Sequence, residues 1–363
     1  MANKAYLALA NGSIFEGQYF GAQGEVVGEI VFTTGMTGYL ETLTDPSYCG
    51  QMVLQTFPLI GNYGVIPEDF ENEAVGPAAY IVKYPCQAPS NFRSEAHLDG
   101  FLRERGVIGL CGIDTRALTK IIRTAGVMNG KIMAHPPGET DFCEIRAHVL
   151  HNSVALVSAP ERKSYKADAT RRKVALFDLG AKENIRRELN KRGCDVWTFP
   201  SSSTAEEILS VAPDGIMLTN GPGNPTDNAA IVETVRALFE TKVPMFGICL
   251  GHQLMALAHG FQTRKLKYGH RGANQPVKDL QSGRVYITSQ NHGYEVQSDS
   301  IDSQIAQEWF VNVNDRSCEG ILYKNAPAFS VQFHPEACGG PQDTAFIFDR
   351  FVECMEGVSH AAG

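Results

Sequence analysis

From Lys173 onward the sequence predicts an α/β fold, a mainly parallel sheet flanked by helices, and ahead of it a β-rich α+β domain. Three observations carry this reading. In the second half, short β-rich apolar runs alternate with amphipathic helical stretches, the pattern of strands joined by covering helices. The first half offers strand-like runs with few helical patterns between them. Between the halves, "SAPERKSYKADATRR" (158–172) is polar, charged and poor in large apolar residues, as an exposed linker should be. The expected division is a domain over 1–157, a linker at 158–171 and a domain over 172–360. With 363 residues, 43% of them hydrophobic, the chain is long enough to bury two cores.

The elements follow in order. Strands are expected in "AYLALANG" (5–12), "EIVFTT" (29–34), "QMVLQTF" (51–57) and "AAYIVK" (78–83). A helix is expected in "IDTRALTKIIRTAG" (113–126), capped by Asp114 or Thr115 and ended by Gly126. After the linker come strand "KVALFDLG" (173–180), helix "AKENIRRELNKRG" (181–193) and strand "CDVWTFP" (194–200). Then follow "PDGIMLTNGPG" (213–223), helix "NAAIVETVRALFETK" (228–242), "VPMFGICLG" (243–251) and helix "HQLMALAHG" (252–260). Ligands of such sheets bind where parallel strands end at their carboxyl edges, and both "NGPGNP" and "GICLG" lie there.

Composition removes several classes of function. A net charge of −8 gives no basic excess to neutralise nucleic-acid phosphates or to dock on anionic membranes. No apolar run reaches the roughly 20 residues of a membrane helix, and the apolar stretch in "MANKAYLALANGSIFEG" is too short for a secretion signal, so a cytoplasmic location is expected. Nine scattered cysteines without a C-x-x-C pair read as reduced thiols rather than disulfides or structural zinc. No spacing of histidines points to a metal; His252 and His292 are expected to be structural, and Cys338 a bystander.

In "GICLG", Cys249 sits between Gly247 and Gly251 at a strand-to-helix turn, the form in which a nucleophile projects clear of its neighbours. The helix amino terminus favours a thiolate there, and the N–H of Leu250 points at a developing oxyanion. The alternative is a small buried thiol in a tight turn. In "AFSVQFHPEACGG", an alternating run from Ala328 to Phe333 reads as a strand ending at His334, broken by Pro335. Glu336, two residues on, shares a side of the chain with His334 and can orient its ring. The alternative is an isolated histidine beside a surface carboxylate. "LTNGPGNP" lacks the Lys-Ser/Thr of a phosphate loop, so an oxyanion donor from Gly221 or Gly223 is the better reading.

"GICLGHQL", "NGPG" and "FHPE", in a domain opened by a leading strand, resemble the class I glutamine amidotransferases. Beyond them, "VFTTGMTGYLETLTDPSYCGQ", "FPLIGNYG", "GIDTRALT", "FDLGAKENI", "KYGHRGANQPV" and "QNHGYEV" resemble the small-chain family of carbamoyl-phosphate synthase across essentially the whole sequence. The resemblance implies that Cys249 attacks the side-chain amide of glutamine, that His334 handles the protons and that Glu336 orients it. It implies an oxyanion site at Gly221 and Leu250, and glutamine-binding positions at Ser47, Gly221, Gly223, Leu250, Gln253, Asn291, Gly293 and Tyr294. Tyr294 stands where Phe is common, a change of little effect for a backbone contact. The implied partner is a large synthetase chain that uses ATP and bicarbonate to make carbamoyl phosphate for pyrimidine and arginine synthesis. No cofactor or metal is expected in this chain, and the first domain is expected mainly to dock the large chain. Competing expectations are a glutaminase of another synthase, a non-catalytic scaffold, and a cysteine peptidase or esterase.

Overall fold

The computed structural model describes residues 4–74 and 76–357. They form two compact units, divided between His151 and Asn152.

In the first unit the strands are β1 (Lys4–Leu9), β2 (Ile14–Gly21), β3 (Val26–Thr33), β4 (Gln51–Gln55), β5 (Leu59–Ile60), β6 (Ala79–Ile81), β7 (Tyr84–Pro85), β8 (Ile108–Cys111) and β9 (Met128–Met133). The helices are α1 (Tyr39–Leu43), α2 (Leu98–Glu104), α3 (Thr115–Ala125) and α4 (Glu139–Ala147). Seven strands close into a barrel in the order β1-β2-β8-β6-β4-β3-β9, with β9 pairing back onto β1. Leu7, Ile30, Met52, Leu54, Ile81, Leu110 and Ile132 pack in one buried cluster of it. Closure draws strands close together: a Cβ on Gly17 would stand 2.4 Å from the Cys111 carbonyl, and one on Gly109 2.4 Å from that of Phe20. Asp114 caps α3 by accepting from the Ala117 N–H at 2.9 Å, and Gly126, at φ 99°, ends it. Asp114→Ala is expected to cost about 1 kcal/mol of stability in denaturant unfolding of the full chain, and an unchanged midpoint would remove the cap from the account.

The second unit opens with α5 (Ser153–Val157), β10 (Lys163–Tyr165), β11 (Arg172–Phe177), α6 (Glu183–Lys191), β12 (Cys194–Phe199), α7 (Ala205–Leu209) and β13 (Gly215–Leu218). It continues through α8 (Ala229–Glu240), β14 (Met245–Ile248), α9 (Leu250–Ala258), β15 (Thr263–Asp279), β16 (Val285–Val296), β17 (Ala306–Asn312), β18 (Cys318–Tyr323), β19 (Ala328–Val331) and α10 (Phe346–Met355). One ten-stranded sheet runs β10-β12-β11-β13-β14-β19-β18-β17-β15-β16. Its parallel part is β12, β11, β13, β14 and β19, and antiparallel strands extend it at both ends. The α/β architecture with a sheet flanked by helices agrees with the expected class. Apolar clusters lie on its two faces, one around Phe177, Leu218, Val235 and Leu254, the other around Phe246, Phe329, Phe348 and Phe351.

Two expectations need correction. The stretch 158–171, read as a linker, carries β10, which pairs antiparallel with β12, and α5 before it already belongs to the second unit. Its polarity is that of a sheet-edge strand, where solvent on one side keeps apolar residues out. Asp195 of β12 fixes the chain beyond it, accepting from the Ala167 N–H at 3.0 Å and the Thr170 hydroxyl at 2.7 Å. The last three residues assigned to the second domain, 358–360, lie outside the described residues. The strand expected to reach His334 stops at Val331, and all four residues of β19 are buried, because it lies between β14 and β18 inside the sheet.

Candidate active site

Cys249 stands between β14 and α9 with φ 54° and ψ −103°, a conformation that a non-glycine residue adopts only under constraint. The constraint is visible on both sides. Its N–H donates to the Val331 carbonyl at 2.9 Å, while its carbonyl accepts from the Gln253 N–H at 3.2 Å. The flanking glycines allow close approach: a Cβ on Gly247 would meet Met255 Sδ at 2.5 Å, and one on Gly251 would meet the Leu218 carbonyl at 2.6 Å. Their role is therefore to seat the start of α9 against β13 and β14, which a larger residue would lever away. Cys249 is 2% exposed, and its Sγ is 3.7 Å from the Asn291 carbonyl.

His334 and Glu336 come from the turn after β19 rather than from an extended stretch. The Ala337 N–H reaches back to the His334 carbonyl at 3.3 Å, and His334 N–H donates to the Ser289 carbonyl at 2.9 Å. His334 Nδ1 and Glu336 Oε1 are 2.7 Å apart, with the residues 1% and 3% exposed. Lys182, buried at the start of α6, places its ammonium 3.6 Å from the same carboxylate oxygen. Burial and the Lys182 charge oppose protonation of His334, but Glu336 and the nearby Cys249 thiol outweigh them and push the imidazole up to about 10. Burial raises the Glu336 carboxyl, yet His334 and Lys182 together hold it below the usual range. Among the described residues His334 Nε2 has no partner at full hydrogen-bond geometry, and the group beside the ring is the Cys249 thiol, so that nitrogen can exchange a proton with the sulfur or with a group entering the site.

The "NGPG" turn after β13 lies against this centre. Asn220 ties it down, its Oδ1 accepting from the Lys182 N–H at 3.0 Å and its Nδ2 donating to the Gly180 carbonyl at 2.9 Å. A Cβ on Gly221 would stand 2.7 Å from Leu250 Cδ2, so the two proposed oxyanion donors are neighbours. Leu250 is the first residue of α9, where backbone N–H groups have no partner within the helix. Gly223 has φ 89° and packs against Ser153. Gln253 donates from Nε2 to the Tyr294 carbonyl and to Gln332 Oε1, both at 2.9 Å. With Asn291 carbonyl beside Cys249, this brings Cys249, His334, Glu336, Gly221, Leu250, Gln253, Asn291 and the strand bearing Gly293 and Tyr294 into one neighbourhood of the second unit. Ser47 belongs to the first unit, in a buried turn where its N–H donates to Asp45 Oδ1 at 2.9 Å.

Two family models match this chain: carbamoyl-phosphate synthase small chain, CPSase domain, over residues 7–132, and glutamine amidotransferase class-I over 175–354. Over 351 residues it is 49% identical to the carbamoyl phosphate synthase small chain of Clostridium perfringens, covering 96% of this chain and 99% of that one. The chain belongs to the carbamoyl-phosphate synthase small-chain family. A pyrimidine-specific small chain of Bacillus subtilis is 48% identical over 358 residues, with 97% and 96% of the two chains covered.

As a family member the chain combines a small-chain domain with a glutamine amidotransferase domain, and the geometry above lies within the latter. Sequence reasoning missed the buried Lys182, although it stands in the "FDLGAKENI" segment; lysine beside a sheet edge is ordinarily a solvated residue, so the sequence carried no signal of its burial. It also missed His270, Gln290 and Glu319, which lie in a buried polar layer behind Asn291. The donor atoms of His270, His292 and Glu319 approach within 4.8 Å of one another. His252, in contrast, is a neutral core residue: fully buried, with Nδ1 2.8 Å from the Ser330 hydroxyl, its imidazole is pushed down to about 3 by burial. Between that value and the ordinary 6.5, the unfolded chain binds a proton here that the folded one does not, so acidification destabilises the fold by up to about 1.4 kcal/mol per pH unit. His252→Asn should therefore show a shallower loss of stability between about pH 6.5 and 4, and an unchanged slope would refute the assignment. Among the described residues no helix is long and apolar enough to cross a membrane, and the nine cysteines form no disulfide.

Proposed function

We propose that this chain is the glutaminase of a carbamoyl-phosphate synthase, hydrolysing L-glutamine through a γ-glutamyl thioester on Cys249 and handing the ammonia to a large synthetase chain. The observation that carries this reading is the strained, helix-capping Cys249 in the same buried centre as the 2.7 Å His334–Glu336 pair.

In the first half-reaction the Cys249 sulfur, its proton taken by His334, attacks the amide carbon of the substrate. The carbonyl oxygen becomes an oxyanion held by the backbone N–H groups of Leu250 and of the Gly221 turn. His334 then gives its proton to the departing nitrogen, the C–N bond breaks, and ammonia leaves behind a thioester. In the second half-reaction His334 takes a proton from water, the resulting hydroxide attacks the thioester carbon, and glutamate departs as the C–S bond breaks. Glu336 keeps the imidazole aligned and supports its positive charge throughout, while Lys182 moderates that support. Gly223, Gln253, Asn291, Gly293 and Tyr294 hold the substrate, the last of these through its backbone.

The relatives' names, small chain of carbamoyl phosphate synthase, support a complex with a large chain, and one of them is pyrimidine-specific. In this reading the large chain uses ATP and bicarbonate and docks mainly on the first domain, and the product serves pyrimidine and arginine synthesis. No cofactor is assigned to this chain, and a cytoplasmic location fits the reading. The decisive experiment measures glutamate release and carbamoyl phosphate formation by the chain alone and with a large synthetase chain, ATP and bicarbonate. Release that rises with the partner and yields carbamoyl phosphate is expected; release without carbamoyl phosphate in any mixture would overturn the assignment to this synthase.

A further inference from the structure

Behind the segment 290–294 lies a buried polar layer to which the reaction above gives no role. His270 of β15 places Nε2 2.8 Å from Asp315 Oδ2, in the turn joining β17 and β18, and Nδ1 3.5 Å from Glu319 Oε1 on β18. Glu319 has no exposed surface; its two oxygens accept from Asn312 Nδ2 at 3.1 Å and from Gln290 Nε2 at 3.0 Å. With its amide nitrogen engaged, Gln290 turns Oε1 toward His292 Nε2 at 3.0 Å. His292 Nδ1 is in turn 2.8 Å from the Tyr294 carbonyl, the same oxygen that Gln253 holds. A continuous set of contacts thus runs from half-exposed Asp315 to the backbone at Tyr294.

A carboxylate with no access to water is costly unless a cation and donors satisfy it. His270 is the group that faces it. The rings of His270 and His292 meet edge to face at 4.9 Å, and Arg271 adjoins them on β15. Burial opposes charging of His270, but Asp315 and Glu319 prevail and lift it to about 9. Burial holds the Glu319 carboxyl above its ordinary range, and His270, Asn312 and Gln290 offset this only in part. His292 is held well below its ordinary value by burial, with His270, Arg271 and His334 acting in the same direction, so it stays neutral while His270 is charged; its single N–H, on Nε2, goes to Gln290 Oε1, and the donor to the Tyr294 carbonyl is Gln253.

We propose that the His270 imidazolium neutralises buried Glu319, fixes Gln290, and through Gln290 and His292 sets the 291–294 backbone in its glutamine-binding form. His270 is thus a positioning residue for substrate affinity rather than for the chemistry at Cys249. The inference rests on the glutaminase reading of the site.

The test uses the full chain with its synthetase partner and compares steady-state constants for glutamine. His270→Gln leaves Glu319 unpaired, so KM should rise about tenfold while kcat changes less than about threefold. The double variant His270→Gln/Glu319→Gln removes the orphaned charge as well and should bring KM back to within about threefold of wild type. An unchanged KM in the single variant, a kcat that falls as far as KM rises, or a double variant no better than the single would each overturn the proposal. Should His270→Gln not fold, Asp315→Asn offers a milder change at a half-exposed position. Its KM relative to wild type should stay near one at about pH 6.5 and rise about threefold at about pH 8.5, since losing one carboxylate lowers the pH at which His270 discharges; a ratio that ignores pH would overturn the proposal. Absence of hydrolysis by the wild type would sink the glutaminase reading instead. Calorimetric binding of glutamine to Cys249→Ala, with and without His270→Gln, then decides this proposal alone: about tenfold weakening supports it, equal affinity overturns it.

Discussion

Cys249→Ala is expected to lower glutamate release by about 10⁴-fold or more, in the chain alone and in its complex, because removing a nucleophile leaves only binding and oxyanion stabilisation. The magnitude follows from the site. Methyl in place of thiol removes the sulfur that forms the thioester; Cys338, two residues after Glu336, is exposed and its sulfur accepts from the Asn184 amide at 3.0 Å, while Cys194 and Cys318 open β12 and β18. The substitution is also mild for the fold. Alanine keeps the Cβ, so the backbone bonds to Val331 and Gln253 remain, and the positive φ is no worse for alanine than for cysteine. The complex should therefore still make carbamoyl phosphate when ammonia replaces glutamine. Retention of more than about a hundredth of the glutamate release in the variant would return Cys249 to the role of a buried thiol.

Gly251→Ala carries the largest expected effect on stability. The added methyl would stand 2.6 Å from the Leu218 carbonyl oxygen and 2.8 Å from Leu218 Cβ. Both obstacles belong to the last residue of β13, a central strand of the sheet, so neither can swing aside as a flexible side chain would. The start of α9 must move instead. A cost of about 3 kcal/mol, the upper end for overpacking, should lower the melting temperature of a unit of this size by about 6–12 °C. The same movement shifts Leu250 relative to Gly221, so glutamate release should fall even at temperatures where the variant is folded. A melting temperature within about 1 °C of wild type would show that the contact is relieved without moving the helix.

Much of the second unit was legible in the sequence because its parallel strands are continuous apolar runs of four to six residues, such as "MFGI" and "KVALF", separated by well-patterned helices. The barrel was less legible. β2 was missed because its first five residues alternate around Gly17 without a large buried residue, and β8 because only four residues, one of them Gly109, form it. Both glycines are there because neighbouring strands approach within a Cβ's width, a demand set by closure and not by local preference. The strand at 163–165 escaped for the opposite reason, since an edge strand with exposed lysine and serine reads as linker.

The candidate site divides along the same line. The sequence by itself determined the chemistry available: a cysteine between two glycines at a strand-to-helix turn, a histidine with a carboxylate two residues on, and a glycine turn, because residue identity and short-range spacing settle which nucleophile, base and donors can exist. Only the tertiary structure decided that β14 and β19 lie side by side and bring Cys249 and His334 together, that the Lys182 ammonium comes within 3.6 Å of Glu336, and that Glu319 is buried opposite His270. Those facts depend on sheet order and on exclusion of water, which fix the distances between charges far apart in sequence, and it is those distances that set the protonation of the site.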